Sequence, residues 1–162
     1  MQIEKYRTET ESNRLSYSFY SVGEKTIKKI VEYTKLPKYW MIANGLPIDA
    51  DVYNLALGDE NIDADDFSDQ IISNNGDMDK VLATVADTAF NFWEYYPNAL
   101  IFFEGSQPEG QEHVRTYLYR KKMERFFDKI SSVADIYGRL DDELEYFTKG
   151  KNYNAFLIIR KR

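Results

Sequence analysis

The chain has 162 residues and no cysteine, which removes disulfides, thiolate zinc sites and cysteine nucleophiles together. Its one histidine, His113, rules out any His-pair metal site and most triads unless a partner chain contributes. No stretch of 18 apolar residues occurs, and the first 25 residues carry no apolar run like that of a signal peptide. A cytoplasmic protein without a membrane span is expected. Basic residues are scarce in the middle. Residues 49–106 hold one of them, Lys80, against 13 acidic side chains. Residues 1–48 hold 8 basic and 5 acidic, and residues 107–162 hold 12 and 9. An acidic middle between mildly basic ends argues against a general nucleic-acid binder, which concentrates its basic charge on one face.

What is present suits one folded domain. Apolar residues make up 43% of the chain and aromatic residues 15%, enough for a sizeable core at this length. A single domain over 1–162 is expected, with 1–14 a loose lead-in from which Ile3 and Tyr6 dock. From Leu15, Ser-Tyr-Ser-Phe-Tyr-Ser-Val alternates with period two, as in a half-buried strand. Thr26–Leu36 reads as strand or helix, and its β-branched content tips it to strand. Pro37 stops it. Tyr39-Trp40-Met41-Ile42 reads as a short edge strand closed by Asn44-Gly45. Val52–Leu57 and Phe67–Ile72 read as a hairpin around an acidic loop, Gly58–Asp66.

Asn75-Gly76 then turns the chain and Asp77 caps a long helix. Met78, Val81, Leu82, Val85, Ala89, Phe92, Trp93 and Tyr96 fall on one stripe of it. Pro97-Asn98 ends that helix. Ala99–Glu104 is apolar enough for a strand buried on both faces. Gly105–Gly110 reads as a loop and Glu112–Ile130 as a second helix. Ala134–Leu140 reads as a strand, Asp141–Gly150 as a charged connection and Asn152–Arg160 as a final strand. The expected architecture is α+β: a mixed, mainly antiparallel sheet of about 6–8 strands, with two longer helices (about 78–96 and 111–131) on one face.

Four segments carry candidate chemistry. Asp59, Asn61 and Asp63 match the first three ligand positions of a calcium loop. Ala64 replaces the glycine and Gln70 the closing glutamate, so a solvated hairpin tip is the better reading. Asp77 and Asp79 beside Asn74 suit a divalent ion or a general base, yet helix capping explains them as well. Ser106 and Arg115 flank a loop that enters a helix, where backbone amides suit an anion. Glu109 and Glu112 oppose that use, and the loop has neither P-loop nor dinucleotide spacing. Asn74, Asp77, Asp79, Ser106 and Arg115 together form the candidate cluster. Arg115, Arg120, Lys121 and Arg125 make a basic helix face suited to a phosphate backbone, or simply to solvent with Glu124 and Asp128 as partners.

Ser73-Asn74-Asn75-Gly76-Asp77 followed by Asp79-Lys80-Val81-Leu82-Ala83-Thr84-Val85 resembles the signature of an uncharacterised family of small bacterial proteins. Tyr53-Asn54-Leu55-Ala56, Glu104-Gly105-Ser106, Arg115-Thr116 and Gly150-Lys151-Asn152-Tyr153 are similar to that family too, over roughly 15–160. The loop at Gln107–Val114 looks longer than usual. The resemblance implies no activity, cofactor or catalytic residue. From the residues alone the expectation is a non-enzymatic interaction or regulatory protein with no cofactor and no metal, meeting a protein partner or its own copy. Two alternatives stay open: a nucleic-acid-associated toxin–antitoxin or defence component, and a small metal-dependent phosphoryl-transfer or hydrolytic enzyme around Asp77 and Asp79.

Overall fold

The computed structural model describes residues 4–61, 66–68, 76–104, 124, 130–141, 143–151 and 153–161. Its elements in chain order are β1 (Glu9–Thr10), β2 (Ser16–Val22), β3 (Thr26–Lys35), α1 (Lys38–Ala43), β4 (Val52–Asn61) and β5 (Asp66–Ser68). They continue with α2 (Met78–Tyr95), β6 (Leu100–Glu104), β7 (Ala134–Leu140), β8 (Glu143–Tyr146) and β9 (Ala155–Arg160). The class is α+β with a mixed sheet, as expected. The short strands β1, β5 and β8 bring the number among the described residues to nine. No helix among the described residues is long and apolar enough to cross a membrane.

Residues group into two compact units, 1–34 with 55–97 and 35–54 with 98–162, so β4 has residues in both. In the first unit the order is β1-β2-β3-β4, with β5 beside β4. β1, β2 and β3 pair antiparallel, with Tyr17 opposite Val31 and Phe19 opposite Lys29. The alternation read in β2 is real: Tyr17, Phe19 and Ser21 are buried. Thr26–Lys35 is a strand, because Lys29, Val31 and Tyr33 recur with period two on the buried face. Tyr33 stacks on Phe92 of α2 at 4.3 Å. The stripe of α2 that is most buried is Val81, Thr84, Thr88, Phe92 and Trp93. Two threonines thus sit where Leu82, Val85 and Ala89 are expected, and those three are half-buried.

In the second unit the order is β4-β6-β9-β7-β8. β4 and β6 run parallel, a pairing that needs a long crossover, and α2 lies in that connection. β6 pairs antiparallel with β9, and β9 with β7. β9 is buried on both faces. Ala155 and Leu157 join Met41, Leu46, Val52, Leu100 and Phe102 in one apolar cluster. Phe156 joins Ile136, Phe147 and Tyr153 in another, on which Phe103 and Ile130 pack. β6 divides its side chains between the same two clusters, which explains its apolar run.

Four expectations are corrected. Tyr39–Ile42 lies in helix α1, not in an edge strand. Pro37 is extended and its carbonyl accepts from the amides of Trp40 and Met41, both at 3.1 Å. At the other end Gly45 has φ +70°, Leu46 N donates to Met41 O at 2.9 Å and Gly45 N to Ile42 O at 3.3 Å. Those bonds make a Schellman cap, so Asn44-Gly45 closes a helix. β4 runs on through Gly58-Asp59-Glu60 to Asn61, which pairs with Asp66, so most of the expected acidic loop is strand. Asp141–Gly150 contains β8: Leu140 pairs with Glu143, and Asp141 takes φ +51°, as a tight hairpin turn demands. The lead-in is partly ordered by β1. The loop expected at Gly105–Gly110 lies outside the described residues. So does most of the helix expected at 111–131, although Glu124, Ile130 and Ser131 are helical.

Candidate functional site

Asp77 occupies the N-cap position of α2, where Gly76 before it turns the chain with φ +77°. Its carboxylate does not cap the helix. Asp77 Oδ2 instead accepts hydrogen bonds from Ser21 Oγ at 2.6 Å and from the Tyr6 hydroxyl. Val22 N donates to that same phenol oxygen at 3.0 Å. The Tyr6 ring lies on Phe19 at 5.7 Å, and Lys80 Nζ stands 4.2 Å from its centroid on α2. Burial, then the Asp77 carboxylate, holds the Tyr6 phenol above its ordinary range. One helix turn after Lys80, Thr84 Oγ1 accepts from Tyr6 N at 2.8 Å and donates to Lys80 O at 2.7 Å. The arrangement keeps a phenol protonated against a carboxylate.

Such bonds continue down α2. The hydroxyls of Tyr33 and Thr88 are 2.8 Å apart, Tyr17 donates to Asn91 Oδ1 at 2.7 Å, and Tyr96 to Asn13 O at 2.8 Å. Burial pushes the Tyr17 phenol up to about 12 and Tyr33 further. On the same strand face as Tyr33, the buried Lys29 ammonium pairs with Asp59 of β4. Asp59, first ligand in the calcium-like pattern, is therefore a strand residue bound to a lysine, which removes the EF-hand reading. Asp63 and Asp65 lie outside the described residues, as does the Asp66 side chain.

The second unit has a polar centre that nothing in the sequence singles out. Arg139 of β7 is 7% exposed. It donates to Asn154 Oδ1 at 3.2 Å, to Asn44 Oδ1 at 3.1 Å and to Glu104 Oε2 at 2.9 Å. Its guanidinium carbon is 5.4 Å from the Phe102 ring centroid. Close by in sequence, Glu145 accepts from Lys151 at 2.6 Å and from the Tyr153 hydroxyl at 3.0 Å, and these donors, Lys151 first, lower its carboxyl pKa. The strand that carries Arg139, Ala134–Leu140, also contains Asp135, so the arginine does not stand out within it.

The same unit exposes apolar surface. Tyr39 and Ile42, three residues apart on α1, are 76% and 64% exposed, and Ile48 is 54% exposed. Lys38 Nζ donates to Ile48 O at 2.7 Å and to Ala50 O at 3.0 Å, which clips the 47–50 segment to the start of the helix. Lys35 and Asp51 lie beside it as an exposed pair 3.4 Å apart.

One family model, described as a family of unknown function (DUF6934), matches residues 2–161. The chain belongs to this family. No curated protein and no solved structure matches it.

Membership in DUF6934 carries no reaction with it, so the candidate residues of this member stand on geometry. Asp77 is placed in the network above. Asp79 lies in the first turn of α2, half-buried. Asn74, Ser106 and Arg115 lie outside the described residues, as do Arg120, Lys121 and Arg125 of the basic face. Among the described residues no group of three His, Cys, Asp or Glu side chains is placed to hold a metal ion.

Proposed function

We propose that this member of the family is a non-enzymatic cytoplasmic interaction protein that associates with a second copy of itself through α1. The observation that carries the reading is the exposure of Tyr39, Ile42 and Ile48 on a short helix whose two ends are pinned. Large apolar side chains held in fixed positions are what interface centres are made of, and each isoleucine buried completely contributes about 1.5–3 kcal/mol. The rim supports a second copy as the partner. It carries Lys35 with Asp49 and Asp51, all exposed, and a rim of both signs can pair with itself across a two-fold axis. The placement of the acid groups supports a non-enzymatic role, because Asp59, Asp77, Glu104 and Glu145 each hold a partner within the fold.

Sedimentation equilibrium over a concentration series tests the proposal. The unaltered chain is expected to self-associate, and Tyr39→Ser/Ile42→Ser to sediment as a monomer with an unchanged circular dichroism spectrum. An unaltered chain that stays monomeric up to about 1 mM, where an association worth about 4 kcal/mol is half-formed, overturns it.

A further inference from the structure

Residues 4–8 have no regular structure and lie along the first half of α2 in the first unit. Their contacts read as a recognition set. Lys5 Nζ meets Asp87 Oδ1 at 2.6 Å. The Tyr6 amide donates to Thr84, the Tyr6 phenol donates to Asp77, and the ring meets both Phe19 and Lys80. The receiving residues come from two regular elements, β2 and α2, that have strand pairing or helix bonds of their own. The segment itself is held by side-chain groups and one amide. Segments held in this way open at a lower free energy than paired strands.

The geometry points to a binding site for an extended Lys-Tyr peptide, built from Phe19, Ser21, Asp77, Lys80, Thr84 and Asp87. We infer that residues 4–8 fill it as an exchangeable latch. The specificity is chemical. Asp87 takes the ammonium, Thr84 takes the amide that follows it, and the Asp77 carboxylate takes a phenol hydroxyl that phenylalanine lacks. Ser21 fills the same carboxylate oxygen from the other side at 2.6 Å and so aims it. When the latch lifts, the occupant is the same segment of a second copy, an exchange that needs no new contact. This inference stands apart from the α1 surface, since it uses none of its residues.

Two measurements test it. In hydrogen exchange on the unaltered chain, the Tyr6 amide is expected to exchange through an opening that leaves the amides of β2 and β3 protected. Exchange only together with those strands overturns the latch. In the second, the full chain carrying Lys5→Ala/Tyr6→Ala is titrated with a labelled peptide of residues 4–10, followed by fluorescence anisotropy. Saturable binding is expected, about tenfold or more weaker when the peptide carries alanine for Tyr6, as loss of about 1.4 kcal/mol requires. Adding Asp77→Ala to the chain is expected to reduce binding similarly. Equal binding of both peptides, or no binding by a chain whose circular dichroism shows it folded, overturns the site.

Discussion

The helix of the first unit is fastened to its strands by hydroxyl groups, whereas the second unit closes over carbon. From Asp77 to Tyr96, α2 meets Tyr6, Ser21, Tyr33, Tyr17 and Asn13 through hydrogen bonds, and Lys29 with Asp59 lies on the same sheet face as Tyr33. The second unit packs Met41, Leu46, Val52, Leu100, Phe102 and Leu157 together and keeps its polar centre around Arg139. The difference teaches where specificity comes from in each. Apolar side chains of suitable size tolerate substitution, but a buried polar group stripped of its partner keeps its full desolvation cost. The first unit should therefore fail through unpaired atoms and the second through misfitting volume.

Lys29→Ala should give the largest loss. It leaves the Asp59 carboxylate buried without its cation, and breaking such a pair costs about 3–5 kcal/mol, measured by urea unfolding. A loss under about 1 kcal/mol would put this pair with ordinary surface ion pairs. Gly138→Ala comes next and probes volume in the second unit. A Cβ there would fall 2.3 Å from Tyr153 Cδ1, on a ring whose hydroxyl is tied to Glu145 and to Thr148 N. Overpacking of this kind costs about 1–3 kcal/mol, so a midpoint equal to the parent's would mean that the ring moves freely.

Tyr33→Phe removes one hydroxyl from the first unit and should cost about 1 kcal/mol through the partner left at Thr88. The same tyrosines set an alkaline limit. Burial favours the protonated phenols of Tyr17 and Tyr33 in the folded state, so their contribution is complete below pH 10, the ordinary phenol value. It is lost as pH rises towards 12, the value reached by Tyr17. The last tyrosines to ionise, followed by absorbance, should do so together with unfolding there. A phenol titration complete near pH 10 with the fold intact would contradict the buried hydroxyl row.

Legibility followed locality. β2, β3 and α2 were readable because a period of two or 3.6, bounded by Gly23, Pro37, Asp77 or Pro97, is written in consecutive residues, and β6 because its run is almost wholly apolar. Tyr39–Ile42 misled because aromatic and β-branched residues suggest strand, while the decisive cap, Asn44-Gly45, serves turns and helix ends alike. β8 was hidden by its charge, since an edge strand next to solvent needs no apolar run. At the candidate site, Asp77 was legible as a helix start. Its partners were not: Ser21 lies 56 positions away and Tyr6 71, and no spacing rule reaches across such gaps. Arg139 was invisible for the same reason, its three acceptors being contributed by α1's cap, the end of β6 and the approach to β9.

The central claim is that the polar groups inside the first unit serve the fold and the apolar surface of α1 serves association. Sedimentation equilibrium of the full chain carrying Lys29→Met/Asp59→Leu tests it most directly, since that change replaces both charges together. Replacing a buried pair by apolar residues of similar volume is often neutral or stabilising, so the variant should stay folded and self-associate as the unaltered chain does. A folded variant that sediments as a monomer while the unaltered chain associates would contradict the claim.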